Sequence, residues 1–173
     1  MKKSLFFAFL FFAISLQAGQ ELETLLQSCK QKNEESCKKA LPLVEAACEQ
    51  DFKNCSDLGF FYIQGVGGLK TNSSKAMDYF DKSCLSGNML GCVNVGLLYE
   101  SGLFRGRQNF KKAKEAYEKA CNNNNAVGCT NLGVLYFHGH GVEKNVALAT
   151  KLFESSCKAG NKKACENYRL LQK

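Results

Sequence analysis

The sequence of 173 residues contains one proline, no tryptophan and two histidines. With so little proline the chain has few enforced breaks, and its fifteen glycines can serve as turns, which favours long helices over a β-sandwich. Low charge is not accompanied by low hydrophobicity: 45% hydrophobic against 23% charged residues excludes a disordered chain. There is also no long hydrophobic run. The one apolar stretch, residues 5–16, is too short to cross a bilayer comfortably, and it follows the basic pair Lys2 and Lys3. With Ala18 as the small residue before Gly19, residues 1–18 read as a signal peptide. No cysteine follows the cut directly, so a lipid anchor is not indicated. The implied location is secreted or periplasmic, with no stable membrane insertion after cleavage. Losing Lys2 and Lys3 lowers the formal charge from +7 by two, to +5. That mild surplus is spread along helix-like segments, which argues against a nucleic-acid partner.

Cysteine, by contrast, is abundant. Ten thiols are too many for a reduced cytosolic protein unless they bind metal. Their positions carry the organisation of the chain. From Cys48 the first members of successive pairs fall at Cys84, Cys121 and Cys157, steps of 36, 37 and 36. The second members, Cys55, Cys92, Cys129 and Cys165, step by 37, 37 and 36. Gly59, Gly96 and Gly133 keep the same phase, as do Tyr62, Tyr99 and Tyr136, then Gly65, Gly102 and Gly139. Ala76, Ala113 and Ala149 follow, and then the rings of Phe80, Tyr117 and Phe153.

Each unit reads as two helices. Cys92, Val95, Gly96 and Tyr99 lie at i, i+3, i+4 and i+7, one face of a helix opening at the cysteine. A glycine inside a helix costs about 1 kcal/mol against alanine, so its recurrence implies a neighbour too close for a Cβ. Gly102 supplies the left-handed end of that helix. A second helix over 110–121 carries Ala113, Ala116, Tyr117 and Ala120 as its apolar stripe. Neither helix can bury its face alone, so the units must stack into an all-α solenoid. The spacing divides the chain into an N-terminal helix (22–30) with an atypical short repeat across 19–54, repeats at 55–91, 92–128 and 129–164, and a capping helix at 165–173. In that cap Arg169 replaces the recurrent glycine.

The repeat also singles out one cysteine pairing. The first cysteine of each pair ends a second helix and the next opens the following first helix. Bridges Cys29–Cys37, Cys48–Cys55, Cys84–Cys92, Cys121–Cys129 and Cys157–Cys165 would clip every such corner, each contributing roughly 2.5 kcal/mol in the chain-entropy account. A metal role fits less well, because no Cys-x2–4-Cys turn occurs and His138-Gly-His140 lacks a third ligand. We therefore expect no metal and no cofactor.

Cys92-Val-Asn-Val-Gly-Leu-Leu-Tyr99 and the run from Cys129 to Val142 resemble Sel1-like repeats, relatives of the tetratricopeptide repeat. The cysteine pair at each junction is similar, more narrowly, to the Helicobacter cysteine-rich protein family. The likeness covers 48–173 well and 20–47 poorly, and it departs at Leu103-Phe104-Arg105-Gly106, where the family has Gly-x-Gly-Val. It implies an α-α right-handed superhelix with junction disulfides. It also implies penicillin binding and slow β-lactam hydrolysis, for which members are labelled β-lactamases. The residues give that activity little to stand on. Ser36-x-x-Lys39 and Ser155-x-x-Lys158 match the first serine β-lactamase pattern, but Ser56-Asp57-Leu58 and Lys70-Thr71-Asn72 each miss a required third residue. Val142 stands where a zinc enzyme would need aspartate, so a catalytic residue is unknown.

A binding role finds better support in the repeat phase. With the second cysteine of a unit at zero, positions 0, 3, 4 and 7 face the core and positions 2, 6 and 9 lie roughly opposite. That opposite row is Asp57, Phe61 and Gln64; Asn94, Leu98 and Ser101; Asn131, Leu135 and His138; then Asn167. First helices line the concave side of stacked helical repeats, so these residues are expected to form a ligand groove. An asparagine amide both donates and accepts, matching the backbone of an extended peptide, and the tetratricopeptide likeness implies the same use. The expected partner is an extended peptide or protein, with a β-lactam or a peptidoglycan fragment as the alternative ligand.

Overall fold

The computed structural model describes residues 19–172, and within them every regular element is helical. The segment read as a signal peptide, residues 1–18, lies outside the described residues. Residues 19–30 form the first helix, α1. There follow α2 (Glu34–Gln50), a 3-10 turn (Phe52–Asn54), α3 (Cys55–Gln64), α4 (Ser73–Leu85), α5 (Met89–Ser101), α6 (Phe110–Asn122), α7 (Ala126–His138), α8 (Val146–Lys158) and α9 (Lys162–Leu170). Odd-numbered helices from α3 onward are the first helices of the repeats, and even-numbered ones are the second.

Asparagine starts these helices. The side chain of Asn72 accepts a hydrogen bond from Lys75 N–H, Asn109 from Lys112 N–H and Asn145 from Leu148 N–H. Asn88, Asn125 and Asn161 do the same for α5, α7 and α9. Each satisfies a donor that the first helical turn cannot pair internally. These caps place the start of α5 at Met89, three residues ahead of Cys92, where the apolar spacing alone had put it. Glycine stops the first helices: Gly65, Gly102 and Gly139 have φ of 67°, 75° and 76°, a left-handed conformation that a Cβ disfavours.

The N-terminal unit is built differently. A single 17-residue helix, α2, runs through Pro42 and is clipped at both ends, Cys37 to Cys29 and Cys48 to Cys55. In the later repeats a glycine loop joins first to second helix, but here the α1–α2 corner is a short turn closed by a disulfide. That substitution accounts for the half-repeat spacing between Cys37 and Cys55. The remaining bridges join Cys84–Cys92, Cys121–Cys129 and Cys157–Cys165, with Cα–Cα distances of 4.5–4.6 Å, and no cysteine is left free.

The recurrent glycine has a visible cause. A Cβ on Gly59 would sit 2.5 Å from the Phe80 ring, one on Gly133 would sit 2.7 Å from the Phe153 ring, and one on Gly96 would overlap the Tyr117 ring. Each ring comes from the second helix of the same repeat, so the glycine lets the two helices of a hairpin close. Tyr117 is fully buried and donates its hydroxyl to Glu100 Oε2 at 2.6 Å. Burial and that bond push its phenol well above the ordinary tyrosine range. Arg169 stands at the glycine position of α9, and among the described residues no ring of a second helix packs against that position.

First helices touch one another, α3 with α5 and α5 with α7, whereas successive second helices approach no more than marginally. The stack therefore curves with its first helices inside.

Candidate functional groove

The inner surface follows from how a first helix is surrounded. One side faces its own hairpin partner, and both flanks meet neighbouring helices. At about 100° per residue, positions 1 and 6 fall near 100° and 240° on the wheel, on those flanks. The structure buries both. Ser56, Val93 and Thr130 occupy position 1, and Phe61, Leu98 and Leu135 occupy position 6, all of them buried. Phe61 and Leu135, expected from the sequence to line the groove, belong to the core instead, whereas Leu98 is buried and yet borders the hollow between α3 and α5. Leu98 packs with Met77 and Phe80 of the preceding second helix, and Leu135 lies in the cluster around Tyr117. An isolated helical wheel has one buried side, but a helix inside a stack has three.

What remains open is an arc near 140–200°, which holds positions 2, 5 and 9. Asn94, Asn131 and Asn167 at position 2 are half-buried, as is Asp57, while Gln64, Ser101 and His138 at position 9 are exposed. Position 5 supplies an apolar row that the sequence reading did not pick out: Phe60, Leu97, Val134 and Leu170. Leu97 is 44% and Leu170 66% exposed. The missed signal was that α5 and α7 are apolar nearly all round, which marks a helix with neighbours on several sides.

Three hollows join along this arc. One of about 320 Å³ lies between α3 and α5, bordered by Phe60, Gln64, Asn94, Leu97 and Ser101. A second of about 340 Å³ lies between α5 and α7, sharing Leu97 and Ser101 and adding Asn131, Val134 and Lys163. The third, about 110 Å³, lies between α7 and α9, sharing Val134 and adding His138, Asn167 and Leu170. Shared residues make the three a single furrow.

The asparagines divide into two kinds. Those at helix starts are used as caps, whereas the side chains of Asn94, Asn131 and Asn167 make no hydrogen bond among the described residues. Asp57, on the same row, has its carboxyl pushed above the usual range by burial, a shift that the positive charge of Lys30 opposes.

Each serine and lysine of the two Ser-x-x-Lys pairs is engaged with another residue. Ser36 donates to Ser28 Oγ at 2.9 Å, while Lys39 is ion-paired with Glu35 at 3.5 Å. Ser155 donates to the carbonyl of Leu152, and Lys158 binds Glu154 at 2.6 Å. That bond raises the Lys158 ammonium pKa, the opposite of what a general base requires. His138 and His140 stack on each other with ring centroids 5.2 Å apart, and no metal-binding group of three ligands occurs among the described residues.

A curved stack of helical hairpins with an inner furrow defines a helical-repeat solenoid. More narrowly, the chain belongs to the Sel1 repeat family, whose profile matches residues 55–88, 90–125 and 126–161. Helicobacter pylori cysteine rich protein B is similar in structure, with a TM-score of 0.59 and 32% identity, over 78% of this chain and 96% of that one. A Sel1 repeat protein from Oxalobacter formigenes has a TM-score of 0.71 at 23% identity, over 87% of this chain and 58% of that one. A protective antigen of uropathogenic Escherichia coli with an SLR fold has a TM-score of 0.67 at 24% identity, over 87% of this chain and 36% of that one. Those two share the fold alone, and this chain spans less than two thirds of either. No curated protein matches the sequence.

Proposed function

We propose that the protein is an exported binding scaffold that holds an extended peptide, or an extended segment of a partner protein, in the furrow of its first helices. One observation carries this reading: Asn94, Asn131 and Asn167 recur at one phase in the second repeat, the third repeat and the last helix, half-buried and without hydrogen-bond partners among the described residues, beside the apolar row of Leu97, Val134 and Leu170. These half-buried amides stay open to water, and a peptide backbone can replace that water because it offers both a donor and an acceptor. The apolar row would take side chains of the same peptide. Export is supported by five disulfides, which persist in oxidising compartments. It is also compatible with the described residues having no helix long and apolar enough to cross a membrane.

Peptides selected from a random display library on the disulfide-intact protein provide the test. Asn94→Ala combined with Asn131→Ala should weaken their binding by about tenfold or more, since each variant removes peptide hydrogen bonds. The melting temperature should stay within about 1 °C, because neither amide bonds to the fold. Unchanged affinity, or loss of folding in the double variant, contradicts the reading.

A further inference from the structure

The loop of the second repeat, residues 102–109, is unlike its two counterparts. It carries Arg105 and Arg107, and Lys111 and Lys112 follow in the first turn of α6. All four are exposed, and none has an acidic partner at ion-pair distance among the described residues. They surround a pocket of about 590 Å³ whose lining contains no carboxylate. Aromatic faces hold two of the charges in place: the Arg105 guanidinium lies 5.0 Å from the centre of the Phe104 ring, and the Lys112 ammonium 5.1 Å from that of Tyr99. Arg105 does so from a left-handed conformation, φ 61°, where the first repeat's loop has Gly68. The floor spans two repeats, since Gly141 of the next loop is pressed against Phe110, where a Cβ would come within 2.5 Å. Four positive charges, all within residues 105–112, thus line one concavity, and of these Lys112 lies near enough to Asp81 to oppose the burial that raises that carboxyl.

We propose that this pocket receives a cluster of carboxylates on an acidic peptide segment. Gln108 lines both the pocket and the hollow between α5 and α7, so a chain leaving the furrow past Gln108 enters the pocket. The anion preference stands on the pocket alone, and the choice of a peptide as carrier rests on the reading of the furrow. A partner of this kind pairs an extended, partly apolar stretch with an acidic flank.

Hexaglutamate and hexaglutamine peptides, titrated into disulfide-intact, nitrogen-15-labelled protein, distinguish the possibilities. Hexaglutamate should shift the amide signals of residues 103–112 and Gly141, hexaglutamine should not, and affinity should fall about tenfold when salt is raised fourfold. Arg107→Gln with Lys111→Gln should abolish those shifts, while Lys38→Gln with Lys39→Gln, which removes the same charge from distant α2, should leave them. The proposal is overturned by absence of binding, by shifts scattered over the other lysines, or by inorganic phosphate reproducing the shifts with hexaglutamate no tighter. Asn94→Ala with Asn131→Ala should not alter hexaglutamate binding. If that variant also fails to weaken library-selected peptides, the furrow reading falls while the acidic-segment site stands.

Discussion

At the scale of single residues, the recurrent glycine is set by the ring opposite it and not by the helix it interrupts. Gly133→Ala should therefore destabilise the protein by about 2 kcal/mol, the usual cost of overpacking, despite alanine's better helix propensity. The same substitution in a Phe153→Leu background should cost little, because the ring 2.7 Å from the new Cβ is gone. Urea unfolding of the four proteins measures that coupling, and additivity would contradict the ring as the cause. Asp57 allows a second test. Burial raises its carboxyl above the unfolded value, so its ionisation weighs against the folded state. The stability it allows is fully present at low pH and is lost as pH rises through the raised value. Asp57→Asn should accordingly match the parent near pH 3 and exceed it near pH 7, as read by denaturant midpoints.

At the scale of elements, one residue type serves two purposes, and mutation should separate them. Asn145 caps α8 through Leu148 N–H, so Asn145→Ala should cost about 1 kcal/mol. Asn131, identical in type and without such a bond, should cost little stability as alanine and instead weaken ligand binding. Comparing their melting temperatures with peptide affinities would expose a shared role if both parameters moved together. The corner clips belong to this scale too. Replacing Cys121 and Cys129 by serine removes a loop constraint worth roughly 2.5 kcal/mol, and the denaturant midpoint should fall accordingly.

At the scale of the whole molecule, each hairpin is supported mainly by its neighbours in sequence, which makes stability a property of position along the stack. The helices α5, α6 and α7 have partners on both sides, while among the described residues α9 packs chiefly on α8. Hydrogen exchange on the oxidised protein should therefore show slowest exchange in α5–α7 and faster exchange in α1 and α9. Equal protection throughout would mean that the disulfides, and not the stacking, set local stability.

The cysteine steps of 36 and 37, the phased glycines and the capping residues act through neighbours within a few residues, and they are legible in sequence for that reason. They determine helical hairpins, clipped corners and a solenoid. The asparagine caps are equally local, but apolar spacing does not register them, and it puts the starts of α5, α7 and α9 three residues late while matching those of α3 and α6. Which face of a first helix stays open is not local. Phe61, Leu98 and Leu135 lie far from the core side on an isolated wheel, and only the neighbouring helices bury them. The same stacking leaves position 5 and three half-buried amides to the furrow, and it sets Gly141 of the next loop beside four cations that are already neighbours in sequence. The cysteines that dominate the composition hold the corners together, and the surface left for recognition was decided by how the hairpins pack.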